Sequence, residues 1–133
     1  MSNEFGHNLI DSNFLATSTC PAAGGTTSLT TWDLDRSTGQ IPDNIGVSLK
    51  IDAAAEHTAG NLTLELLHGA SSPPTTALGV QNVVAGGSAG SAETERFHRL
   101  PQDTLRYVRA RVVSSSASDG DCTGVSVTAK LQF

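Results

Sequence analysis

The stretch GVSVTAKLQF, residues 124–133, alternates apolar and polar side chains without a break. Val125, Val127, Ala129, Leu131 and Phe133 fall on one side, Ser126, Thr128, Lys130 and Gln132 on the other. Successive side chains of a β-strand point to opposite faces, so this pattern predicts a strand with one face on a core and one in water. GVSLKID (46–52) repeats it with Val47, Leu49 and Ile51 against Ser48 and Lys50. NLTLELL (61–67) sets Leu62, Leu64 and Leu66 against Thr63 and Glu65. Weaker strand candidates are NFLATST (13–19), SLTTWDL (28–34), VQNVVA (80–85) and residues 105–113. Turn-forming clusters separate them: CPAAGG, STGQIPDN, GASSPP, AGGSAGS and SSSASDGD. No segment sustains a helical period, and AETERFH (92–98) reads as a single turn. Seven or eight short strands with polar connections predict an all-β, antiparallel sandwich, jelly roll or Greek-key barrel.

At 133 residues the chain fits one domain. Residues 1–11 lack alternation and read as an N-terminal arm, leaving 12–133 as the sandwich. With four Phe, one Tyr, one Trp and one Met, the core must be aliphatic, and Trp32 is expected in it or at a strand end. Charged residues make up 16%, against roughly a quarter in typical globular chains, a composition suited to a surface covered by partners. No secretory signal opens the sequence and no window approaches the ~18 apolar residues of a membrane span, so synthesis in a cytoplasm without a membrane role is expected. A net charge of −5 argues against nucleic-acid binding.

The chemistry-bearing residues form no catalytic constellation. Asp33 and Asp35 share a strand face without a third ligand. Asp119 and Asp121 lack the spacing of a calcium loop, and no GxSxG elbow occurs. His7, His57, His68 and His98 are scattered, and Cys20 and Cys122 have no zinc-ligand spacing. The expectation is no enzyme, no metal and no cofactor. Two unpaired thiols in a reducing compartment are the simple reading of the cysteines.

The charge distribution is more informative. RFHRLPQDTLRYVRAR (96–111) holds five of the eight Lys and Arg residues. If 105–113 is a strand, Val108, Ala110 and Val112 face the core with Arg106 at its wet end, and Tyr107, Arg109 and Arg111 project outward together. Exposed Tyr and Arg are enriched as anchors of protein interfaces. The same pattern also serves to keep a strand solvated. A third reading pairs these arginines with acidic groups, internal or a partner's; residues 1–56 hold seven Asp and Glu against two Lys and Arg.

The order of these features resembles the small jelly-roll capsid cement (decoration) proteins of short-tailed bacteriophages. The resemblance rests on IDSNFLATST, TTSLTTWDLD, IGVSLKID, GNLTLELLHGASSPPT, LPQDTLRYVRARVV and CTGVSVTAKLQF in that order, spanning about residues 9 to 133. The longer arm and the cysteine pair depart from the pattern. The resemblance implies a virion protein on the outer surface of an assembled shell, made in the bacterial host cytoplasm. It would bridge neighbouring major capsid subunits and self-associate, as a homodimer in preference to a trimer. The arm would order on docking, with Glu4, Phe5 and Asn8 as candidate contacts beside Tyr107, Arg109 and Arg111. Under a jelly roll the first and last strands pair, which would bring Cys20 and Cys122 together as spatial neighbours. The competing class is a β-sandwich carbohydrate- or receptor-binding module of a phage particle.

Overall fold

The computed structural model describes residues 10–34, 45–115 and 122–132. Nine strands follow in order: β1 (Ile10–Thr19), β2 (Thr26–Ser28), β3 (Trp32–Asp33), β4 (Gly46–Ile51), β5 (Asn61–Gly69), β6 (Thr76–Ala85), β7 (Thr94–Arg99), β8 (Tyr107–Ser114) and β9 (Ser126–Gln132). No helix occurs among the described residues.

The strands form two antiparallel sheets. The first has the order β1-β9-β4-β7, the second β2-β8-β5-β6, with β3 also paired to β8. Taking β2 and β3 as one interrupted strand, the chain changes sheet at every connection except the one between β5 and β6, which gives the jelly-roll order. The four interior strands β9, β4, β8 and β5 are those with the cleanest alternation. Val47, Leu49, Ile51, Leu62, Leu64, Leu66, Val108, Ala110, Val112, Val127, Ala129 and Leu131 are all buried in a single core. Each large aliphatic side chain there stabilises the fold by roughly 1.5–3 kcal/mol. Trp32 lies in the same core at 2% exposure, its ring edge-on to Phe14 with centroids 6.3 Å apart.

Two expectations are corrected, and Arg106 is exposed as expected of the wet end of its strand. AETERFH is no turn; most of it lies in β7, at the edge of the first sheet, whose residues are mostly exposed and so show no alternation. SLTTWDL does not form one strand. β2 ends at Ser28 opposite Arg111 and β3 resumes at Trp32 opposite Val108, so Leu29, Thr30 and Thr31 stand against only Arg109 and Ala110. This is a β-bulge, which bends the strand and frees the backbone locally. Arg106 precedes β8 and is exposed, bound through Nε and Nη2 to the two carboxylate oxygens of Asp33 at 2.7 and 2.9 Å. Of the expected arm, residues 1–9 lie outside the described residues, while Ile10 and Asp11 belong to β1.

Asn82 ties the sheets together. From β6 its buried Nδ2 donates to the carbonyls of Leu49 in β4 and Thr94 in β7, at 2.9 and 3.1 Å.

Candidate functional site

The outer face of the second sheet is built on β8. Its alternation sends Val108, Ala110, Val112 and Ser114 inward and leaves Tyr107, Arg109, Arg111 and Val113 half-buried on the outside. Register supplies their neighbours. Arg111 lies between Ser28 of β2 and Glu65 of β5, Arg109 beside Leu67, and Tyr107 between Asp33 and Gly69.

The arginines on this face differ in their partners. Arg111 Nε donates to Glu65 Oε1 at 2.6 Å, and Glu65 is only 16% exposed, so the pair is poorly screened. Arg106 and Asp33 are 45% and 46% exposed, and water weakens that pair. The Arg106 guanidinium also lies 5.2 Å from the centre of the Tyr107 ring. Arg109 has no polar partner among the described residues, and its Nε is buried without a hydrogen bond. Leu67 beside it is buried, and both adjoining ladders lose register there. One is the bulge at residues 29–31. The other is in β6, where Leu78, Gly79 and Val80 stand opposite Leu66 alone. Gly79 adopts φ 86° to make that turn, with open space beyond its Cα.

The first sheet presents a different outer face. One rung carries Leu15, Lys130, Ser48 and Phe97 in register. Leu15 and Phe97 are 47% and 49% exposed, and the Phe97 ring covers Gly46 so closely that a Cβ there would collide with it. Between them runs a chain of paired charges. Lys50 reaches Glu93 at 2.8 Å and Asp52 at 3.6 Å, and Lys130 reaches Glu95 at 3.5 Å. The Ser48 hydroxyl donates to Glu95 Oε2 at 2.8 Å, and this bond, with Lys130 and Lys50 nearby, holds the Glu95 carboxyl below its ordinary value. Glu93 in turn raises the Lys50 ammonium.

Cys20 and Cys122 are both buried, Cys20 just after the end of β1 and Cys122 shortly before the start of β9. The Cys20 N–H donates to the Val125 carbonyl, and the Val125 N–H donates to the Cys122 carbonyl, each at 2.9 Å. Burial, then Cys122, then Asp52 push the Cys20 thiol up to about 11.

Glu4, Phe5, Asn8, Asp35, Asp119 and Asp121 lie outside the described residues. Arg96 and Arg99 fall on β7, in the other sheet from Arg109 and Arg111, so the five basic residues do not act as one patch. Sequence reading missed Glu65 as the partner of Arg111, because only register reveals that two strands 46 positions apart are adjacent. It missed Phe97 because its segment showed no alternation. Among the described residues no helix is long and apolar enough to cross a membrane.

No family model and no curated protein matches the chain. Among solved structures it is similar to a Bacillus endospore appendage protein of a family of disulfide-linked pili, at 13% identity over 95% of this chain and 87% of that one, TM-score 0.46. It is also similar to a CBM4 carbohydrate-binding module, at 18% identity over 86% and 66%, TM-score 0.42. A third is the VP2 subviral particle of infectious bursal disease virus, at 15% identity over 95% of this chain and 31% of that one, TM-score 0.33. These neighbours include structural proteins of an appendage and a viral particle alongside a binding module.

Proposed function

We propose that the chain is a capsid cement protein of a short-tailed bacteriophage, binding the outer surface of an assembled shell and bridging neighbouring major capsid subunits. The observation that carries this reading is Arg109. An arginine held half-buried on a sheet face, with no counter-ion among the described residues, is costly until a carboxylate reaches it, and arginine is among the residues that dominate interface energetics. Tyr107 and the Glu65-paired Arg111 flank it on β8. Its partners would be the major capsid protein and a second copy of the chain, as a homodimer in preference to a trimer. The role is mechanical, with no catalytic step, and repetition of one modest contact over the shell supplies avidity. The chain would be made in the host cytoplasm and reside on the virion exterior. A carbohydrate-binding reading is less well supported, since the only Trp is in the core.

The test is co-sedimentation of the full chain with shells from its native lysate. A fixed ratio to the shell subunit, lost on Arg109→Glu in a folded variant, supports the proposal. A chain that stays at the top of the gradient as a small oligomer overturns it.

A further inference from the structure

We propose that Cys20 and Cys122 form an intrachain disulfide when the protein meets oxidising surroundings, and that this bond fastens the end of β1 to β9. The inference stands apart from shell binding. Register carries it: Thr19 pairs with Ser126, the Cys20 N–H continues that ladder to Val125, and a turn from Cys122 to Val125 folds Cys122 back beside it. The two side chains belong to one core, and Cys122 lies near enough to help raise the Cys20 thiol. β1 is the strand that gains most. Among the described residues it is an edge strand with β9 as its one neighbour in the sheet, and its ladder is irregular between Ile10 and Leu15. Fraying of β1 is therefore opposed by one strand alone, and a covalent link at its far end would hold it.

With oxidised glutathione as oxidant the chemistry balances. One cysteine thiolate attacks the glutathione disulfide, forming a mixed disulfide and releasing one glutathione. The second thiolate attacks the protein sulfur of that mixed disulfide, closing Cys20–Cys122 and releasing the other glutathione. Two protein thiols are oxidised by two electrons, and their protons end on the two glutathiones. Because burial keeps the Cys20 thiol protonated near neutral pH, the bond forms slowly in the folded protein and faster as pH rises.

The experiment incubates the full chain with oxidised glutathione, once folded at alkaline pH and once during refolding, then alkylates and weighs it. The expected product is lighter than the reduced protein by two hydrogens and retains no glutathione. It yields a peptide pair joining Cys20 to Cys122 and melts roughly 10 °C higher than the reduced form. Cys20→Ser and Cys122→Ser abolish both effects; if either fails to fold, the wild-type mass and peptide map decide alone. A retained glutathione adduct, a disulfide between chains, or two alkylatable thiols after oxidative refolding would each overturn the bond. A joined pair with an unchanged melting temperature overturns the fastening.

Discussion

The two outer faces of the sandwich share a backbone plan and differ in how their charges are settled. On the first sheet, Lys50 pairs with Asp52 and Glu93, and Lys130 pairs with Glu95, which also accepts from Ser48. On the second, Arg106 and Arg111 have carboxylates, and Arg109 between them has none among the described residues. A face whose charges are internally matched is already at rest in water. A face with one cation unmatched among the described residues has a place for something that brings an anion. The lesson is that charge density does not identify a docking surface; the residue omitted from an otherwise complete pairing does.

The core that both faces share sets the largest effect. Trp32→Ala is expected to cost about 3–5 kcal/mol in urea unfolding, because a buried ring is lost from beneath the second sheet. A cost below that of a surface substitution would place Trp32 outside the shared core. The comparison itself is broken most directly by charge reversal. Arg109→Glu is expected to weaken shell binding roughly thirtyfold, about 2 kcal/mol, and Lys130→Glu on the other face less than twofold. Equal losses in a binding titration would erase the distinction. Glu65→Gln leaves Arg111 half-buried without its carboxylate, and a loss of about 1–2 kcal/mol in stability is expected, detectable as a lower denaturation midpoint.

The smallest effect belongs to the first sheet. The folded Glu95 carboxyl titrates below its unfolded value, so it contributes stability above the unfolded pKa that is lost as pH falls through the folded one. Ser48→Ala removes the hydrogen bond that is the leading cause, and should shift the Glu95 titration upward in a carboxyl NMR experiment. With Glu95 46% exposed, the stability change stays under about 0.5 kcal/mol.

Most of the architecture was legible wherever one face of a strand is buried and the other wet. β5, β8 and β9 largely satisfy that condition, and in β4 the inward residues were readable by parity although Gly46 and Ser48 on the other face are covered as well. β7 was not, because an edge strand exposed on both sides has no reason to alternate. The break between β2 and β3 was hidden too, since Leu29 is buried in step with its neighbours and only pairing with β8 reveals the extra residue. At the candidate site, parity put Tyr107, Arg109 and Arg111 on one side of a strand. It could not say which arginine would lack a carboxylate among the described residues, since Glu65 and Asp33 reach β8 from distant segments.

β9 lies between β1 and β4 in the first sheet, although it is the last strand in the chain. On the ribosome, every other strand emerges before the one that joins the two parts of that sheet. Until β9 arrives, β1 has no partner in its sheet, and Ala16 and Val47 have no continuous core to close. Folding of this sheet therefore waits until β9 has been synthesised, and the pairing of Thr19 with Ser126 makes it a slow, long-range event. A nascent chain cannot occupy its binding place early, and a chain shortened before Ser126 should not fold into a weaker version of the protein.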